Sequence, residues 1–507
     1  MNIKTSTPAR KQFLTLLATI LCTIYQTDAQ TQSRHLTQDQ ARDDFQSLRS
    51  ALEYVHPRLY KYEDKKKVEN RFDSLSNLIR GDISELDFLA LVSVTTASVR
   101  CGHLYTIPQG ELAKVILHKK VLPFHTKVIG DKLHIINDCS KFSIPDGSEI
   151  IAINGKSSEA ILNTILPGIA ADGYIHTRKV RLIERNFYGT FHGFNLYYYV
   201  HVDRSEKFLV EYRDYKSKKV RIVSIDGVTL TERRAHELEK YGVDEESWFK
   251  DPSPRFEIDK VNDFALLTIS RSFHDKFVDP DFDSFIANAF RTINNDRVRN
   301  LILDLRNNEG GSEHQQMELM SYLYDQPFKL YQNIYLSRLD FRPLKNIIVE
   351  RDSASLVFNN DDEYMRKIND NLWINNYEYS ENLQLRPVQK NVFKGQLYVL
   401  MNGGTFSSAA DLIADLKRTS NAIFIGEESG GLYEGPTGGD NIVMQLPNSR
   451  IMVRISPNIQ IGYMYQKHPI GRGVIPTHQI TYGIKDIVDK RDLELDLAKE
   501  LIHKSTH

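Results

Sequence analysis

Ser407 stands where an apolar run ends and a helical pattern begins. Leu397-Tyr398-Val399-Leu400-Met401 reads as a strand, Asn402-Gly403-Gly404-Thr405-Phe406 as a tight turn, and Leu412, Ile413 and Leu416 as the apolar stripe of a helix. A serine at such a junction presents its hydroxyl at the carboxyl edge of a sheet, with helix N-terminal amides beside it to receive an oxyanion. Serine is also a good N-cap, so the local run alone fits either a nucleophile or a cap. A second apolar run, Leu301 to Leu305, ends in Arg306-Asn307-Asn308-Glu309-Gly310-Gly311-Ser312. Paired glycines after a strand let a backbone approach closely. The amides of Gly310 or Gly311, with that of Ser408, are the expected oxyanion donors, the alternative being a sharp turn that needs no ligand. Ser312 is a rival nucleophile.

The rest of the chain narrows the chemistry. It has 65 basic and 66 acidic residues for a formal net charge of -1, so nothing favours nucleic acid or an anionic membrane surface as partner. A neutral or peptide-like partner fits better. No His-Glu-x-x-His motif or paired cysteine cluster occurs, and no metal or cofactor is expected. With 41% hydrophobic and 26% charged residues over 507 positions, two or three globular domains are expected.

Residues 1–29 read as a signal peptide. Lys4, Arg10 and Lys11 precede the apolar stretch Phe13 to Tyr25, and Thr27-Asp28-Ala29 offers small residues for cleavage. The apolar run is too short to span a bilayer, and Leu21 before Cys22 argues against lipid attachment. The mature chain is therefore expected to be periplasmic or extracellular, with no integral membrane span. Cys101 and Cys139 then remain, as a disulfide or as two buried thiols.

Residues 30–115 carry helical spacing, with Phe45, Leu48, Leu52 and Val55 and then Phe72, Leu75 and Leu78, and end in Cys101-Gly102-His103-Leu104. Residues 116–225 turn to short strands and hairpin signals such as Pro145-Asp146-Gly147 and Asn154-Gly155. The run Ile144 to Lys156, followed by Ala160, Ile161, Leu162, Ile165 and Leu166, resembles the strand, turn and helix of a PDZ domain; any small sheet domain with an Asn-Gly hairpin is the plainer reading. Residues 226–255 are polar and close in Asp251-Pro252-Ser253-Pro254, as a linker would. From 256 to 500, strands alternate with helices, predicting an α/β domain with a mixed sheet and crossover helices. Its residues 330–390, polar and aromatic, read as a helical insertion over the site. The fold class expected is thus α/β multidomain.

Leu303-Asp304-Leu305-Arg306-Asn307-Asn308-Glu309-Gly310-Gly311, Gly404-Thr405-Phe406-Ser407-Ser408-Ala409, Ile425-Gly426-Glu427-Glu428-Ser429-Gly430-Gly431 and Gly471-Arg472-Gly473-Val474-Ile475-Pro476 together resemble the C-terminal processing protease family of serine peptidases, which includes the tail-specific proteases and the tricorn core protease. The resemblance implies peptide-bond hydrolysis with Ser407 as nucleophile and a peptide or protein substrate. In the tail-specific branch a lysine follows the nucleophile by roughly twenty-five residues, and here that place holds Leu432. The tricorn-like branch uses a histidine from far upstream, and His103 stands in that place. Without the resemblance His103 is one of 16 histidines; with it, His103 becomes the general base, a task its unperturbed pKa near 6.5 suits.

The sequence departs from the pattern at three points. Gly102 stands where the tricorn protease has a serine. The distant glutamate has no clear counterpart: Glu427 is the nearest acid by motif and is carried as the orienting acid, with Glu434 and Asp440 also available. Thr477 follows Pro476 where relatives often carry an acid. Two rival readings share these residues: a catalytically weak or inactive relative that binds peptide or lipid, and an esterase or amidase acting on small molecules.

Overall fold

The computed structural model describes residues 34–506 apart from 109, 188–190, 243–250, 352–363 and 465. The segment 1–29, expected as a signal peptide, lies outside the described residues.

Three helices open the described chain. Gln38–Val55 starts in a Thr37–Gln40 capping box and buries Phe45, Leu48, Leu52 and Val55. Lys65–Ser76 is capped by Asp64. Glu85–Ala97 is capped by Ser84 and is apolar on most of its circumference, burying Leu86, Phe88, Leu89, Leu91 and Val92, as a helix enclosed by its neighbours does. The chain leaves this third helix through Arg100, whose φ is 61°. It passes Cys101-Gly102-His103 and enters the short strand Tyr105–Ile107. That strand pairs antiparallel with Met452–Ile455 from the far end of the sequence.

A second unit is an antiparallel sheet in the order Val220–Asp226, Lys207–Arg213, Glu149–Ile153, Lys132–Asp138, Phe124–Ile129, with Lys156–Ser157 paired on Glu149–Ile153. Helices Ser158–Ile165 and Gly193–His201 share its core, which includes Phe124, Ile135, Ile150, Ile161, Phe194 and Phe208. The stretch expected as a linker is ordered here: Leu230–Tyr241 is a helix with a Thr229–Glu232 capping box. Its polarity misleads because two of its charged residues, Arg233 and Glu237, are buried rather than solvated. Glu237 is fully buried 2.7 Å from His125, and Lys240 Nζ donates to the carbonyls of Asp138 and Ser140.

The third unit is built on a six-stranded sheet in the order Arg255–Asp259, Phe264–Thr268, Asn300–Asp304, Gln396–Met401, Ile423–Gly426, His478–Gln479. The first pair is antiparallel and the rest parallel, so the sheet is mixed. Helix Phe282–Asn295 crosses between the second and third strands, and Ser408–Thr419 between the fourth and fifth. Leu301, Ile302 and Leu303 are all fully buried, as a central parallel strand covered on both faces requires. The described residues of 330–390 do not form the expected helical insertion. Their described elements are the strands Tyr331–Leu336, Ile348–Arg351, Met365–Asn369 and Leu372–Asn375 with short 3-10 turns. Tyr331–Leu336 alternates buried Tyr331, Ile334 and Leu336 with more open residues and pairs with Asn458–Gly462, which suits its aromatic and β-branched composition. Cys101 and Cys139 are separate buried thiols, which settles the alternative left open by sequence.

The helices that carry His103 are tied to the third unit by more than one short strand. Asp44, fully buried on the first helix, accepts the backbone N–H of Asn448 at 2.8 Å and of Ser449 at 2.7 Å, and the Asn448 amide at 3.0 Å. Asp44→Ala strands one buried and one part-buried donor and should lower unfolding free energy by about 2 kcal/mol in urea titration, with Asp44→Asn losing less.

Candidate active site

Two loops leave the carboxyl ends of the adjacent strands Asn300–Asp304 and Gln396–Met401, the place where open α/β sheets hold ligands. Asparagines brace them against each other. Asn402 Oδ1 accepts the amides of Asn307 at 3.0 Å and Gly404 at 2.9 Å, and Asn402 Nδ2 donates to Asn307 Oδ1 at 3.1 Å. The Thr405 hydroxyl donates to the Leu305 carbonyl at 2.8 Å, and the Phe406 amide to the Asn308 carbonyl at 2.9 Å. Gly310, with φ of 81°, lies so close that an added Cβ would sit 2.7 Å from Phe406 O and Ser408 N. Only glycine serves there.

Ser407 has φ 52° and ψ -132°, a conformation that an L-residue adopts at a cost and that recurs at nucleophile turns. Although it precedes the helix, its side chain makes no capping bond. Its Oγ instead lies 3.0 Å from His103 Nε2. The rival serine behaves oppositely: Ser312 caps helix Glu313–Leu323 by accepting the Gln315 amide at 3.3 Å.

His103 is 4% exposed. Burial, then the charges of Arg454 and Arg178, bring its pKa down to about 3 against the opposing pull of Glu309. The imidazole is therefore neutral at neutral pH, as a general base must be. Its ring stacks on Phe406 with centroids 4.6 Å apart and planes at 27°. Among the described residues no acceptor reaches Nδ1.

The orienting acid expected from sequence is not in place. Glu427 is drawn off by Arg181, whose Nε and guanidinium amine lie 3.1 and 2.8 Å from its Oε2. Glu434 pairs with Lys61, and Asp440 accepts from Asn458 Nδ2 at 3.2 Å. Leu432, where a lysine base would stand, is buried and apolar. Thr477 accepts from Lys417 Nζ and from the Phe424 amide, each at 3.4 Å. The oxyanion donors are also only partly as expected. Gly310 N–H donates to Asn308 Oδ1 at 2.9 Å and Gly311 N–H to Ser408 Oγ at 2.8 Å, so both glycine amides are satisfied internally. The Ser408 amide, at the first turn of its helix, donates to no acceptor among the described residues.

Several site residues were not legible in advance. Arg178, on helix His176–Glu184, binds Glu309 through two bonds of 2.6 and 2.8 Å and lies 4.1 Å from the Phe406 ring centroid; Arg185 joins Glu309 at 2.5 Å. Those two cations outweigh burial and hold the Glu309 carboxyl down at about 2. Asp172 Oδ1 accepts the Gly102 amide at 2.7 Å. A polar helix between two domains gives no sign of which glycine loop it will meet. Among the described residues no group of three metal-ligating side chains converges.

Residues 263–456 match the model for peptidase family S41. A sequence comparison with curated proteins finds no match. A solved structure of mature CPAF complexed with lactacystin is 16% identical with a TM-score of 0.62, covering 92% of this chain and 98% of that one. A structure of mature CPAF is 15% identical with a TM-score of 0.57, covering 92% and 97%. These likenesses speak for the fold along nearly the whole chain, while the family match falls on the sheet and both glycine loops. Residues 263–456, which hold Ser407 and both glycine loops, are therefore a peptidase family S41 region, and the chain is a serine-type peptidase.

Proposed function

We propose that the chain hydrolyses peptide bonds through an acyl-enzyme on Ser407, with His103 as general base, in the manner of the histidine-using, tricorn-like branch. The observation that carries this reading is the 3.0 Å contact between Ser407 Oγ and His103 Nε2, made across 304 positions of sequence. Ser407 attacks the substrate carbonyl as its proton passes to Nε2, which then protonates the leaving amine. The Ser408 amide supports the oxyanion, and Gly311 N–H becomes a second donor when the Ser408 hydroxyl turns away from it. Residues 30–115 supply the base, the 116–225 module is PDZ-like and meets peptide, and 256–500 supplies the nucleophile. The protein acts after export, periplasmic or extracellular, on the strength of the apolar segment Phe13 to Tyr25 and its basic flank. Among the described residues no helix is long and apolar enough to cross a membrane.

A second reading draws on the absence of an acid at His103 Nδ1 and on the internally satisfied glycine amides: a catalytically weak relative that binds peptide without turning it over.

Digesting a diverse peptide library and reading the products by mass separates the two. Ser407→Ala and His103→Ala should each lower cleavage by about three decades; binding without cleavage in the wild type would favour the second reading. Ser312→Ala should leave the rate within about threefold while costing about 1 kcal/mol of stability. Because the His103 pKa is lowered, its base form survives as pH falls past 6.5 and is lost only toward about 3. The kcat/KM profile should accordingly show no half-drop near pH 6.5.

A further inference from the structure

If Ser407 and His103 work as just proposed, something must hold the imidazole in register, and among the described residues no carboxylate does. Glu427, Glu434 and Asp440 are all engaged elsewhere. What touches the ring is Phe406, the residue before the nucleophile. Phe406 is 6% exposed and fixed from several sides. Its amide donates to Asn308 O at 2.9 Å, its carbonyl accepts from Ala409 N at 3.2 Å, and the Arg178 guanidinium lies 4.1 Å from its centroid. It also meets the residue before the histidine: a Cβ added at Gly102 would lie 2.8 Å from the ring atoms Cε2 and Cζ. The loop Cys101-Gly102-His103 thus lies directly against the phenyl ring, and Gly102 is what permits the approach.

We infer that Phe406 is a positioning residue that orients His103 toward Ser407 by aromatic stacking, in the role a hydrogen-bonding acid fills in a triad. A stacked ring restricts the tilt of the imidazole but offers nothing to an Nδ1 proton. Base and nucleophile are thereby aligned through adjacent residues of one loop, so a displacement of Ser407 carries the surface that orients its partner with it. The stack also excludes water from the imidazole. The charged groups acting on His103 are Arg454 from strand Met452–Ile455, Arg178 from helix His176–Glu184 and Glu309 from the glycine loop.

A fluorophosphonate probe tests this without knowledge of the natural substrate. It forms an Oγ–P bond at Ser407 as fluoride leaves and the serine proton passes to His103 Nε2. Ser407→Ala and His103→Ala test the dyad itself: if His103→Ala labels as fast as wild type, the base assignment fails whatever Phe406 does. The inference is tested by Phe406→Leu and Phe406→Met, of which either one that melts cooperatively suffices, and by Phe406→Tyr, which keeps the aromatic face. The apolar variants should label about 10- to 100-fold more slowly at pH 7.5, with the probe's saturation constant within about twofold and the acidic limb moved up toward 6.5. Phe406→Tyr should stay within about threefold of wild type. The inference is overturned if the apolar variants label as wild type does, if their loss lies wholly in the saturation constant, or if Phe406→Tyr, folded, falls as far as they do.

Discussion

The pairing of Tyr105–Ile107 with Met452–Ile455 is the contact on which the site depends. His103 lies two positions before that short strand and Ser407 belongs to a different unit, so the pairing helps to bring the two side chains together. Asp44, seated on the turn that leads into Met452–Ile455, secures the same junction from the helical side. A register slip in so short a strand would reverse which face each residue presents and carry the imidazole off the hydroxyl. The asparagine braces then complete locally what the strand achieves at long range, by holding the serine loop against the glycine loop.

One helix of the middle unit, His176–Glu184, reaches the glycine loop, the serine loop at Phe406 and the loop that holds Glu427. Arg178 and the following Arg185 take Glu309, and Arg181 takes Glu427. Buried pairs of this kind add little net stability, because desolvation offsets attraction, yet removing one partner leaves an uncompensated charge. Their value lies in geometry: the helix is locked to these loops, and Phe406 is gripped between Arg178 and His103. Burial above all, then the charges of Arg454 and Arg178, explains why a base in this setting is reluctant to protonate.

Much of this was readable from sequence because it follows from local pattern. The apolar run Leu301 to Leu303, continued by Asp304 and Leu305, reads as a buried strand, and the glycines around Ser407 mark its turn. Ser407 itself was ambiguous: a cap and a nucleophile have the same sequence signature, and only the backbone conformation and an absent capping bond separate them. His103 was reachable through family resemblance alone, since a partner 304 positions away leaves no trace in spacing. Glu427 misled because the motif fixes its place in the loop but says nothing of Arg181 on another unit. Leu230–Tyr241 misled for a related reason, as the polarity of Glu237 and Lys240 reads as solvation unless their buried partners are known. The strands between 330 and 390 were hidden by polar residues on faces that lie at the surface.

The long-range strand pairing has a consequence for the life of the chain before it is finished. The Met452–Ile455 partner is synthesised some 350 residues after His103, and long-range pairings of this kind form late in folding. A partly made chain holds the histidine and later the serine, but lacks the strand pairing that helps bring them together. The meeting of Ser407 and His103 is therefore conferred by completion of the fold, so nascent chains crowded at a ribosome lack it.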